Sequence, residues 1–176
     1  MCGGVIFPYK KEYRETLEKI YSRAEVDEFE RTGQVRSLYW QKAEPVLPVV
    51  EMGEEEEPLP ETETVMLWGN RDKSAPFPQT GWARVESLEA GKWSHMRPQP
   101  VLIPVTHGVE KGNWFEIEHG IRGVMVRKGG DQRVYMLTDE ASPEYLEVTH
   151  HERMPVLVGQ DAFPWTSAPA GTVSAG

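Results

Sequence analysis

Cysteine is nearly missing from this chain: there is one in 176 residues, at position 2. A single thiol excludes an internal disulfide and fits a reducing compartment. Long apolar runs are missing too. The best candidates, Pro45 to Val50 and Val101 to Val105, are interrupted by proline and fall far short of the ~18 residues a spanning helix needs, so no membrane role is expected. No basic-then-apolar leader opens the chain, which makes the cytoplasm the expected location. His150 and His151 are adjacent and Cys2 stands alone, so no set has ligand spacing; neither a metal nor another cofactor is expected. Internal repeats are absent, and nothing forces more than a monomer.

A basic excess is also lacking. Net charge is −9, which on its face argues against a nucleic-acid partner, because phosphate contacts need Lys and Arg. Its distribution changes that inference. Seven acids and no base lie between Glu51 and Glu63, and removing them leaves 21 acids against 19 bases. The remainder is close to neutral and has room for a local basic groove. The acidic stretch itself, GEEEEPLPETE from Gly53, reads as a solvated, self-repelling loop.

What is present is an ordinary globular composition, 39% hydrophobic and 27% charged, at a length that suits one domain over residues 1–166 with a small, polar tail at 167–176. Tyr13, Leu17, Ile20 and Ala24 fall at helical spacing and predict a helix from Lys10 to about Arg23, followed by a short one over Val26–Arg31 that stops at Gly33. Val35–Val50 is strand-like and punctuated by proline. Strands are further predicted at Val65–Trp68, Val101–Val105, Trp114–Glu118, Ile121–Arg127, Arg133–Leu137 and Pro155–Val158, with turns at Gly120 and Gly129-Gly130 and a helix over Ser142–Val148. The sum is an α+β fold of short, mostly antiparallel strands in a barrel-like sheet with a few helices.

Three features carry possible chemistry. Met1-Cys2-Gly3 opens the chain, and loss of Met1 would leave an α-amine and a thiol on neighbouring carbons. Leu102-Ile103-Pro104 is followed by Glu110 on a glycine-containing loop. His151-Glu152-Arg153-Met154-Pro155 lies near the end. Together with Trp68-Gly69, Ala83-Arg84-Val85-Glu86 and Thr138-Asp139-Glu140-Ala141, and in this order, they resemble the SRAP (SOS response-associated peptidase) family. The likeness runs from residue 1 to about 158, and Cys-Gly at the start and His-x-Arg-Met-Pro are its most specific parts.

The resemblance implies a protein that binds single-stranded DNA and links covalently to abasic sites, protecting them in the DNA damage response. Cys2 would be the reacting residue: its amine condenses with the sugar aldehyde and its thiol closes a thiazolidine ring. Glu110 and His151 would serve as acid/base groups. Gly3, Arg84 and Arg153 would meet the DNA backbone, while Trp68, Trp82 and Thr138 would line its path. The chain departs from the family pattern at three points. Gly4 stands where an arginine is usual, Trp82 where an asparagine is usual, and no aromatic flanks Glu110; Glu110 is placed by an ungapped count from Leu102-Ile103-Pro104, and a gap there would shift the assignment to Glu116. Rival readings are an N-terminal-nucleophile amidotransferase, a thiol peptidase that removes its own leader, and a single-strand binder without covalent chemistry that uses Trp40, Trp68, Trp82 or Trp93 as stacking platforms.

Overall fold

In the computed structural model, which describes residues 2–169, two open sheets enclose one principal core. Neither sheet closes on itself, so the expected α+β class holds but the barrel-like closure does not. The first sheet is built from β1 (Gly4–Pro8), β2 (Gln34–Leu38), β7 (His107–Glu110), β8 (Asn113–Glu116) and β12 (Trp165–Thr166), in the order β12-β8-β7-β1-β2. The second runs β11 (Arg153–Pro155), β10 (Asp131–Glu140), β9 (Ile121–Lys128), β6 (Gln99–Ile103), β3 (Val46–Glu51) and β4 (Thr64–Leu67). A short strand β5 (Trp82–Arg84) lies parallel to the middle of β10. All other pairs are antiparallel.

The apolar runs predicted as strands lie inside this framework. Val124, Met125 and Val126 of β9 are buried consecutively rather than alternately, as befits a strand with core on both faces. The β9–β10 hairpin turns on Gly129-Gly130, both at positive φ, the left-handed pair that a two-residue turn between twisted strands requires. Val5 and Phe7 of the first sheet share the core with Leu47, Ile103, Ile121 and Met136 of the second.

The helical segment is where periodicity misled. Instead of one helix from Lys10 to Arg23, a single 3-10 turn (Lys11–Tyr13) leads into α1 (Arg14–Leu17), and α2 then spans Arg23–Thr32. The cause is local. The Ser22 hydroxyl accepts from the Glu25 N–H, and the Glu25 carboxylate accepts from the Ser22 N–H, a reciprocal cap that starts a new helix. Gly33, at φ 74°, ends α2 as predicted. Val35–Val50 divides into β2 and β3 across a turn. The acidic stretch folds back on the sheet: Met52 bridges Pro58, the Thr62 hydroxyl accepts from the Glu51 N–H, and Glu51, Glu56 and Glu63 pair with Arg127, Arg122 and Lys10. In mid-chain α3 (Val85–Glu89) follows β5, and nearer the C-terminus α4 (Pro143–Thr149) matches the predicted helix within a residue. Pro155–Val158 contributes only its first residue to β11, with Leu157 in an isolated bridge to Ile121. Of the predicted tail, residues 170–176 lie outside the described residues, as does Met1. No described helix is long and apolar enough to cross a membrane.

Candidate functional site

Cys2 is held by the strand that follows it. The Gly3 N–H donates to the Val109 carbonyl and the Gly3 carbonyl accepts from the Tyr39 N–H, both at 3.0 Å, so the arm is clamped between β7 and the end of β2. Gly4 pairs with Leu38 on one side and Val109 on the other. A Cβ there would lie 2.2 Å from Leu38 Cδ2 and 2.9 Å from Val109 Cγ1, so any side chain, arginine included, requires both neighbours to move. Gly108 is close-packed for the same reason: its Cβ would meet the Phe115 ring at 2.5 Å and Cys2 Sγ at 3.0 Å.

Cys2 is 0% exposed. Its Sγ donates to the Gly4 carbonyl at 3.1 Å, and burial pushes the thiol up to about 12, with the Glu110 charge adding to the effect. In this enclosed state the group is an inert thiol. Its carbonyl accepts from Trp82 Nε1 at 3.1 Å, so the indole, at the position where the SRAP pattern has asparagine, spends its one donor on the backbone of Cys2.

Glu110 is the last residue of β7, a strand rather than the predicted loop. A two-residue turn, Lys111-Gly112, with both residues at positive φ (48° and 80°), returns the chain into β8. A lysine in that conformation is strained, and it stands directly beside the buried carboxyl. Burial raises the Glu110 pKa. Glu116, the alternative candidate, is exposed on β8, paired across from His107.

His151 is delivered by the end of α4. Ser142 caps that helix by accepting from the Tyr145 N–H, and His150 ends it in the left-handed conformation at φ 57°. The buried Thr149 hydroxyl then accepts from the His151 N–H at 3.1 Å. His151 Nδ1 accepts from the Arg153 N–H at 3.1 Å, so in the neutral ring the proton sits on Nε2. Burial lowers the pKa of this histidine, favouring that neutral form. A carboxyl pushed up and an imidazole pushed down are both brought toward neutrality, the condition for exchanging protons at ordinary pH.

Two adjoining clefts share Trp82 and His151 as walls. The first, of about 420 Å³, is lined by Gly3, Trp40, Trp82, Glu110, Lys111 and His151 among others. The second, of about 590 Å³, is lined by Trp82, Arg84, Thr138, His151 and Arg153 among others. Residues from positions 3, 82, 110 and 151 thus meet at one place, with arginines at one end.

One expected contact is corrected, and a second is refined. Trp68 is 1% exposed; its Nε1 donates to the Gly81 carbonyl at 2.9 Å and its ring packs edge-on to Tyr39 and Trp82, so it supports the site from below and does not face the cleft. Thr138 is buried, and its oxygens are occupied by the Arg153 guanidinium, which also pairs with Glu86 at 3.0 Å. It lines the second cleft and braces Arg153 there. Arg84 is exposed at the end of β5.

One residue gains importance over its place in the sequence reading. Trp40 is 68% exposed, its ring centroid 6.2 Å from that of Trp82, with the Arg71 guanidinium over its face at 5.3 Å. Trp93, by contrast, is buried in a separate cluster. Among the described residues no group of His, Cys, Asp and Glu is gathered to hold a metal. Set against family models, curated proteins and solved structures, the chain matches none of them.

Proposed function

We propose that this protein, once Met1 is removed, binds single-stranded DNA and traps abasic sites as a thiazolidine on Cys2. The observation that carries the reading is the convergence of four segments far apart in sequence, at Gly3, Trp82, Glu110 and His151, on one cleft whose neighbour is flanked by Arg84 and Arg153. Removal of Met1 frees the Cys2 α-amine, and an unperturbed α-amine, with a reference pKa of ~7.7, has a useful neutral fraction at physiological pH. Its nitrogen adds to the aldehyde carbon of the opened sugar as the C=O π bond breaks. The carbonyl oxygen takes a proton from the Glu110 carboxyl and the nitrogen returns one to the Glu110 carboxylate, giving a neutral carbinolamine. The hydroxyl then leaves as water, protonated by the Glu110 carboxyl while the nitrogen gives its remaining proton back to that carboxylate and the C=N bond forms. His151 Nε2–H donates a hydrogen bond to the departing oxygen. The Cys2 sulfur then adds to the imine carbon and the thiol proton ends on nitrogen, so one water is lost overall. Arg84 and the Thr138-braced Arg153 hold phosphates, and Trp40 offers a face for a flanking base.

The test is intact mass before and after mixing with a single-stranded oligonucleotide carrying one abasic site. The expected result is a chain lacking Met1 and a stable adduct, both mass shifts being read on the same sample, with no adduct from Cys2→Ala. Absence of the adduct in the trimmed wild-type chain would end the crosslinking reading. A second reading, a single-strand binder without covalent chemistry, is favoured by the full burial of Cys2 and by Trp82 standing where the family places asparagine. It predicts salt-dependent affinity for single strands that Cys2→Ala leaves intact.

A further inference from the structure

Tyr145, on α4, is 0% exposed, and its hydroxyl has no hydrogen-bond partner among the described residues. An unpaired buried phenol is costly, and nothing in the packing asks for it. The ring is held by Phe163, Trp165 and Phe115, with centroids at 4.8, 5.9 and 6.4 Å, contacts that phenylalanine would make equally well. The surroundings indicate a use. Phe115 packs on Gly108 at the spot where Cys2 Sγ also packs, and Cys2, Phe115 and Tyr145 belong to one core cluster. Charge on Cys2 or Glu110 reaches the phenol and, with burial, drives its pKa upward, so it stays a protonated donor.

As a thiol, Cys2 is satisfied by donating to Gly4. As a thiolate it would face burial, that same carbonyl oxygen and the Glu110 carboxyl from β7, with the backbone at Gly4 and at Val109 favouring the charged form but no side-chain donor among the described residues. Lys111 bears on Glu110 rather than on sulfur. We propose that Tyr145 is a positioning residue for Cys2: its hydroxyl is the donor held ready for the sulfur when the thiol gives up its proton. Tyr145 keeps its own proton throughout, and the thiol proton goes to nitrogen as in the ring closure above. The inference rests on Cys2 being the reacting group, but not on the identity of the aldehyde.

The experiment compares the wild-type chain with Tyr145→Phe, N-terminal state fixed by intact mass, in alkylation by iodoacetamide. One cysteine in the chain makes the signal that of Cys2 alone. Losing a hydrogen bond to a charged sulfur raises the thiol pKa by about one unit, which cuts the thiolate about tenfold. The more basic thiolate recovers about threefold in nucleophilicity, so alkylation should slow about threefold at any pH below the thiol pKa. Thermal stability should stay equal or rise, because an orphan hydroxyl is gone. An unchanged alkylation rate, or slowing accompanied by a lower Tm, overturns the inference. Should alkylation of the enclosed thiol prove too slow, thiolate ultraviolet absorbance, taken as a difference from Cys2→Ser in each background, gives the same comparison. Failure of the wild-type chain to capture an abasic oligonucleotide would refute the proposed function while leaving this thiol comparison to stand or fall by itself.

Discussion

Replacing Trp82 with phenylalanine isolates what the indole contributes to Cys2. The substitution keeps an aromatic ring among Tyr39, Trp68 and Trp40 but removes Nε1, the donor to the Cys2 carbonyl at 3.1 Å. Leaving that carbonyl unpaired beneath a buried residue costs about 1–3 kcal/mol. The lost six-membered half of the indole, in contact with three rings, adds about 1 kcal/mol. A net loss of about 2–4 kcal/mol follows, which for a chain of this length lowers Tm by about 4–16 °C. The effect should be concentrated at the N-terminal arm, because the broken bond ties the arm to β5. Opening of the arm becomes easier by the same free energy, and alkylation of Cys2 should accelerate roughly 30-fold or more. The assays are a thermal melt and timed alkylation read by intact mass. A variant that melts within a degree or two of wild type with Cys2 equally shielded would refute the claim that Trp82 holds the arm down.

Three further outcomes follow from the geometry. Burial raises the Glu110 pKa, so the folded chain gains from keeping that carboxyl protonated, and the gain is full below the unfolded value of ~4.3 and lost as pH rises through the folded value. Glu110→Gln should therefore be more stable than wild type at neutral pH, with the gap closing as pH falls in a Tm series, while trapping of abasic DNA is abolished. Lys111→Asn places a residue tolerant of left-handed backbone at φ 48° ahead of Gly112, and should stabilise by about 0.5–1 kcal/mol in denaturant unfolding. Trp40→Ala removes an exposed ring; stability should change by no more than about 0.5 kcal/mol, whereas single-strand affinity in a fluorescence titration should fall roughly fivefold or more.

How far the sequence could be read depended on whether the signal was local. Gly33 and Gly129-Gly130 were legible because positive φ is a demand that glycine meets at the position itself. Ser22 and Glu25 carry an equally local cap signal that apolar spacing alone does not register, so the first predicted helix runs on to Arg23 and the second begins three residues late, at Val26. Strand β7 was missed because four residues, His107–Glu110, show no alternation long enough to register, and Lys111-Gly112 is an unusual pair for a hairpin turn. At the site, residue identity was legible and exposure was not. Trp40, Trp68, Trp82 and Trp93 are alike as letters; only packing separates the exposed one from a site wall and two buried ones. Tyr145 lay beyond any reading of spacing, since its interest is that its hydroxyl lacks a partner.

The departures from the family pattern are not independent of one another. Gly4 has no space for a side chain because the arm passes between Leu38 and Val109, and that tight passage brings the Cys2 carbonyl to Trp82. An asparagine at position 82 could reach groups beside Cys2 with a donor and an acceptor, whereas an indole offers one donor and a broad apolar face. Where the SRAP pattern places polar contacts, this chain has an aromatic wall beside Cys2 that is continuous with Tyr39, Trp40 and Trp68. On the proposed reading, polar support for Cys2 comes instead from the backbone at Gly4 and Val109 and from the Tyr145 phenol. Trp82→Asn alone should then not create an SRAP-like site, because the arm would lose its clamp before it gained a second polar partner.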